Sequence, residues 1–192
     1  MAPGPSRVLS SPMTPQDPVI DLGSDRFFMS QALRQATRAF EADEVPVGAV
    51  IVRDGAIIAR AFNQVELLRD ATAHAEMLAL SQAFAAAGDW RLTECDLYVT
   101  KEPCPMCAGA IVHARLRRVI FGCRDPKAGG AGGLINLLQH PNLNHHCALT
   151  PEIMAEESLD LLRGFFRLKR RTPAAPGPAP DPLSPDQEAG LY

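Results

Sequence analysis

The chain predicts a three-layer α/β domain with a mixed sheet between helices. Three features of the sequence point to it. Short apolar runs rich in β-branched residues read as buried strands. The first two of them are separated by a hairpin-length turn, and beyond that hairpin helical periods alternate with strands, which is the pattern of a sheet covered by helices.

The elements follow in order. From Asp25 to about Ala42, Phe28, Ala32, Leu33, Ala36, Ala39 and Phe40 recur at three- and four-residue steps, which predicts an amphipathic helix with Ser24 as its N-cap. Val47 to Val52 is almost continuously apolar, Asp54-Gly55 is a tight-turn pair, and Ala56 to Phe62 completes a hairpin. Asn63 stands just past it, and a polar loop is expected to run on to Thr72. Ala73 to Ala87 reads as a helix with Gly88 in the stop position. Asp96 to Thr100 is a buried strand candidate, after which Glu102-Pro103 turns the chain into a second helix carrying Cys104 and Cys107. Val119 to Gly122 is a further strand, Lys127 to Gly133 a Gly-rich loop, and Glu152 to about Arg171 a long terminal helix.

The ends differ from the middle. Five prolines fall within residues 1–18 and six between Pro173 and Pro185, with no apolar period around them. Residues 1–22 and 172–192 are therefore expected to be disordered tails flanking one domain at 23–171, long enough to bury a proper core. Arg7 is outweighed by Asp17 and Asp21 at one end, and Asp181, Asp186 and Glu188 lie at the other. The formal net charge of −3 thus comes from the ends, and the middle is slightly basic. Charge distribution, rather than the total, decides whether an anionic partner is excluded, and here it is not. Arg163, Arg167, Lys169, Arg170 and Arg171 cluster with Phe165 and Phe166. The basic side chains suit phosphate contacts, while the phenylalanines suit either the core or stacking. With no apolar stretch of about 18 residues and no apolar h-region behind the start, the protein is expected in the cytoplasm. Cys95, Cys123 and Cys147 show no disulfide-framework spacing and are expected to be buried free thiols.

The chemistry lies in His74-Ala75-Glu76 and Pro103-Cys104-Pro105-Met106-Cys107. One His and two Cys are suitable zinc ligands, and three protein ligands leave a position open for water, as catalytic zinc sites do. Zinc lowers the pKa of bound water to about 7, and Glu76 stands two residues from a ligand, placed to move protons. Residues two apart on a helix point about 200° from each other. His74 and Glu76 can share a target only if both reach forward over the helix start.

The pattern H-x-E followed by P-C-x-x-C resembles that of the zinc-dependent nucleoside and nucleobase deaminases. Within that superfamily, Glu44-Val45-Pro46-Val47-Gly48-Ala49-Val50, Asn63, Thr72-Ala73-His74-Ala75-Glu76, Glu102-Pro103-Cys104-Pro105-Met106-Cys107-Ala108-Gly109-Ala110 and Leu143-Asn144-His145 closely resemble the bacterial tRNA-specific adenosine deaminases, over about residues 25–171. The resemblance implies a cytidine-deaminase-like fold, one zinc ion per subunit and a homodimer. It implies a zinc-activated hydroxide attacking C6 of the wobble adenosine in a tRNA anticodon loop to give inosine, with Glu76 shuttling the protons. It also implies that Asn63 hydrogen-bonds the target base, that Val45, Pro46, Val47 and Ala75 line its pocket, and that Asp125 and Lys127 contact RNA; Phe166, Arg167 and Arg170 of the terminal cluster are expected to contact it through stacking and phosphates. An acid such as Asp125 can meet a ribose 2′-hydroxyl and so favour RNA over DNA. His145 takes a structural or substrate-loop role.

Two rival readings share part of this pattern. A deaminase of a free base or nucleoside, such as guanine or cytidine, would need the same metal and Glu76 but not the RNA-facing residues. A zinc-stabilised nucleic-acid-binding module would leave the open position and Glu76 idle. One position departs from the family: Lys101 stands where an apolar residue, often Leu, is usual. A lysine there must reach solvent or meet an acid or a phosphate.

Overall fold

A computed structural model describes residue 21 and residues 23–171. The two proline-rich ends expected to be disordered, 1–22 and 172–192, lie outside the described residues apart from Asp21. Helix α1 (Asp25–Glu41) starts where Ser24, in extended conformation, accepts a hydrogen bond from the Phe27 N–H, so the expected N-cap is in place. Strands β1 (Gly48–Arg53) and β2 (Ala56–Phe62) form the expected hairpin, with Asp54 and Gly55 at φ 51° and 75°, the left-handed pair that a two-residue turn requires. Gly48 permits a close approach: a Cβ there would collide with backbone atoms of Ala32 and Ala36 in α1.

The segment expected to be a polar loop before Thr72 contains one turn of helix, α2 (Val65–Leu68). The cause is tertiary. Gln64 gives no side-chain cap, but Glu44, 23 residues upstream of Leu67, accepts a hydrogen bond from the Leu67 N–H at 2.7 Å. Helix α3 (Ala75–Ala87) begins two residues later than expected and ends at Gly88, in the left-handed conformation. Strand β3 (Cys95–Lys101), helix α4 (Pro105–His113) and strand β4 (Arg118–Cys123) follow as expected. The three-residue strand β5 (Ala148–Thr150) was too short to show a period. Helix α5 (Ala155–Arg171) starts three residues later than Glu152, because Glu152 and Met154 take φ of 67° and 56°, outside the right-handed helical region.

The sheet runs β2-β1-β3-β4-β5, with β1 antiparallel to β2 and β3, and β3, β4 and β5 parallel. It is the expected mixed sheet between helices. Alternation along the strands divides the core. Ala49, Ile51, Leu97, Val99, Val119 and Phe121 face α3 and α4, while Val50, Val52, Tyr98 and Ile120 face α1. Being buried on both faces explains why these strands are nearly uninterrupted apolar runs. Parallel β3 and β4 are joined through α4, so the chain leaving the C-terminal end of β3 enters α4 at once, and that edge of the sheet is where α/β folds place their ligands. Cys95, Cys123 and Cys147 are buried free thiols, as expected.

Candidate active site

Two helix starts converge at this edge. His74 is the N-cap of α3, with extended backbone (φ −69°, ψ 152°), and Cys104 is the N-cap of α4 (φ −71°, ψ 170°), with Pro105 opening the helix and Cys107 in its first turn. This resolves the angular problem of His74 and Glu76 differently from the expectation. Only Glu76 is helical; His74 projects from the extended residue before the helix, so the helical 200° separation does not apply to the pair.

His74 Nδ1 lies 3.7 Å from Cys104 Sγ and 3.5 Å from Cys107 Sγ, and the three donor atoms all fall within 4.8 Å of one another. Tetrahedral zinc, with bonds of about 2.3 Å to sulfur and about 2.0 Å to nitrogen, separates its nitrogen and sulfur ligands by about 3.5 Å. The donor set and its spacing therefore fit a zinc ion. Cys104 is already acidic in the protein alone: hydrogen bonding from Cys107, with further help from His74, pulls its thiol down to about 3. The same hydrogen bond to Cys104, together with burial, pushes Cys107 up. His74 is raised, mainly by its hydrogen bond with Cys104. A metal would take over the role of these shared protons and hold both sulfurs as thiolates. Glu76 is 4% exposed, and burial raises its carboxyl, which favours carrying a proton.

A cavity of about 350 Å³ opens over this cluster. Val45, Val47, Val65, Leu162 and Phe166 form apolar walls; Asn63, Glu76, His74 and Cys104 bring the polar groups. The buried Asn63 is held at both ends of its residue, its N–H donating to the Val47 carbonyl at 3.0 Å and its Nδ2 to Glu44 Oε2 at 3.0 Å. One amide hydrogen is thereby spent, leaving the other and the carbonyl oxygen for a ligand.

With this geometry in view, comparison with known proteins narrows the chemistry. Residues 24–170 match the family model of the MafB19-like deaminases. The chain is 47% identical over 152 residues to a tRNA-specific adenosine deaminase of Bacillus subtilis, covering 79% of this chain and 94% of that protein. It is 48% identical over 144 residues to one of Aquifex aeolicus, covering 75% and 95%. The chain belongs to the tRNA-specific adenosine deaminase family. Its fold is similar to a solved structure from work on A-to-I editing by tRNA:A34 deaminases (TM-score 0.68, 44% identity, 70% of this chain and 98% of that one). It is also similar to a guanine deaminase from Nitrosomonas europaea, at lower identity (TM-score 0.66, 25%, 74% and 85%).

The site residues expected from the sequence fall into four groups. His74, Cys104, Glu76, Asn63, Val45, Val47 and Phe166 line the cavity. Cys107, Pro46 and Ala75 are buried and do not line it. Asp125 is on the loop after β4, where its Oδ1 accepts from the N–H groups of Lys127 and Ala128. Lys127, Arg167 and Arg170 are exposed outside the cavity. The terminal phenylalanines divide: Phe165 is buried against Phe40, their ring centroids 5.9 Å apart, and Phe166 faces the cavity. Leu143-Asn144-His145 lies elsewhere; His145 Nε2 sits 2.7 Å from the Leu116 carbonyl, and Arg115 donates to the Asn144 carbonyl at 2.8 Å.

Two further carboxylates organise the site. Besides Glu44, Glu102 is 2% exposed and accepts from three backbone N–H groups, those of Asp125 (2.9 Å), Ala131 (3.0 Å) and Gly133 (2.7 Å). The loop packs so closely on this carboxylate that a Cβ on Gly129 or Gly133 would strike it. Both acids are inside the family motifs, beside Val45 and Pro103, but their burial and distant partners have no local signal in the sequence.

Proposed function

We propose that this protein deaminates adenosine to inosine at the wobble position of a tRNA anticodon loop. The observation that carries the reading is Glu76, buried against a His/Cys/Cys cluster at the floor of a cavity with one amide and apolar walls, in a chain of this family. His74, Cys104 and Cys107 hold the metal, and zinc bound there supplies a water acidic enough to react at neutral pH.

The side chains do the rest. Val45 and Val47 pack against the adenine faces, and Asn63 meets the purine edge with the amide groups Glu44 leaves free. Glu76 takes a proton from the attacking water and passes it to N1 as the bond to C6 forms; it then takes the remaining proton from the new C6 hydroxyl and gives it to N6, so that the C6–N6 bond breaks, ammonia leaves and the C6 carbonyl of inosine forms. Anticodon-loop bases are already unpaired, so extruding one into the cavity costs less than in a duplex. Asp125, Lys127, Phe166, Arg167 and Arg170 are assigned to the RNA around that base. The working form is a cytoplasmic homodimer with one zinc ion per subunit; among the described residues no helix is long and apolar enough to cross a membrane.

A guanine or cytidine deaminase is the weaker reading, since the relatives named for adenosine in tRNA share 47–48% identity with this chain and the guanine deaminase 25%. The test is to offer zinc-loaded protein an anticodon stem-loop with wobble adenosine beside free adenosine, guanine and cytidine. Inosine in the stem-loop alone is the expected result. Deamination of a free base or nucleoside with the stem-loop unchanged overturns the RNA assignment but keeps the metal.

A further inference from the structure

Lys101 is the last residue of β3 and the only lysine or arginine among the residues lining the cavity. Its side chain does not turn away to solvent. It is 29% exposed, and Nζ is paired with Asp125 Oδ2, a carboxylate 15% exposed. That acid is itself fixed: Oδ1 holds the Lys127 and Ala128 N–H groups, and its own N–H donates to the buried Glu102. Of the two fates open to a lysine here, meeting an acid is the one realised.

Asp125 is the only partner of Nζ among the described residues, and it uses one of three ammonium hydrogens. The others remain for a ligand. Of the four carboxylates lining the cavity, Glu44 and Glu102 are occupied by amide and backbone donors, and Glu66 and Glu76 form no ion pair with Lys101 among the described residues. In a largely buried ion pair the cost of removing both charges from water offsets much of their attraction, and ordering a lysine costs rotamer entropy besides. Stability alone gives no reason for a lysine at this place; an anion arriving with the substrate does.

We propose that Lys101 is a substrate-binding residue whose ammonium, aimed by Asp125, donates to a phosphate oxygen flanking the nucleotide that enters the cavity. The proposal rests on the RNA reading above. It makes Asp125 partly a positioning residue, since its side chain holds the cation in place. A point charge of this kind favours a strand carrying phosphate over a free base or nucleoside, so Lys101 contributes to the choice between those substrates.

The test uses zinc-loaded wild type, Lys101→Leu and Lys101→Arg with three stem-loops: unmodified, and with a single neutral methylphosphonate on the 5′ or the 3′ side of the target adenosine. Lys101→Leu is expected to raise KM about tenfold with kcat within about twofold. It should also flatten the slope of log Kd against log salt by about 0.7, one phosphate on a single strand. One of the neutral linkages should raise the wild-type KM similarly and leave Lys101→Leu unaffected, because the partner is already missing. Lys101→Arg should restore sensitivity to that linkage. If both linkages penalise wild type and Lys101→Leu equally, or the salt slope does not change, the proposal is overturned. Should Lys101→Leu fail to fold, Lys101→Gln takes its place in the same cycle. Absence of inosine from wild type on the unmodified loop would instead remove the RNA reading itself.

Discussion

The floor and the rim of the cavity are built in different ways. At the floor, His74 and Cys104 cap two helices whose positions follow from the buried sheet, and Cys107 is one turn further on. At the rim, Asn63 and Asp125 are held by buried acids from elsewhere in the chain, Glu44 for the first and Glu102 for the second. The floor depends on local helix geometry plus one metal. The rim depends on single carboxylates, each gathering several donors. Chemistry and substrate fit should therefore be separable by mutation.

The largest expected effect is at the floor. Cys107→Ala removes one of three protein ligands, and the purified protein should lose its zinc, measured by atomic absorption, together with all inosine formation. Zinc retained at one per chain would show that the cluster is not the metal site. At the rim, Glu102→Gln puts an amide N–H where a backbone donor needs an acceptor. It should cost about 1–3 kcal/mol in denaturant unfolding and raise KM for the stem-loop, with zinc stoichiometry unchanged. Zinc loss in that variant would break the separation. Glu44→Gln turns an amide N–H towards either Asn63 Nδ2 or the Leu67 N–H and leaves that donor without an acceptor, about 1 kcal/mol, and should lower kcat/KM for RNA by roughly fivefold to tenfold.

A smaller effect concerns acid. Burial pushes the Asp125 carboxyl up, but Lys101 and the N–H groups of Lys127 and Ala128 outweigh it and hold it below the ordinary carboxylate value. Its stabilisation is present above the unfolded value, about 3.9, and is lost as pH falls through the lower native value. Asp125→Asn should therefore narrow its Tm difference from wild type below about pH 4; a gap constant with pH would remove Asp125 as its source. The smallest change in stability belongs to Phe166→Ala. An exposed side chain should cost within about 0.5 kcal/mol, while KM for the stem-loop rises.

The same contrast explains what could be read from the sequence. H-x-E and P-C-x-x-C are local signals, so the metal cluster and Glu76 were legible, as were α1, the Asp54-Gly55 hairpin and the Gly88 helix stop. The rim was legible only through the family resemblance. Helix α2 has no local signal, because its first turn is held by Glu44 rather than by a neighbour, and neither has β5, because three residues carry no period. The start of α5 was placed too early because nothing in Glu152-Ile153-Met154 announces positive φ at its first and last residues.

The most direct measurement of the central claim is single-turnover inosine formation by zinc-loaded Glu76→Gln on the wobble-adenosine stem-loop, with binding followed in parallel. One zinc per chain, near-native RNA affinity and a rate lower by about 10²–10⁴-fold are predicted, because only proton transfer has been removed. A rate within a few-fold of wild type would contradict the account, showing that the proton passes through some group other than Glu76.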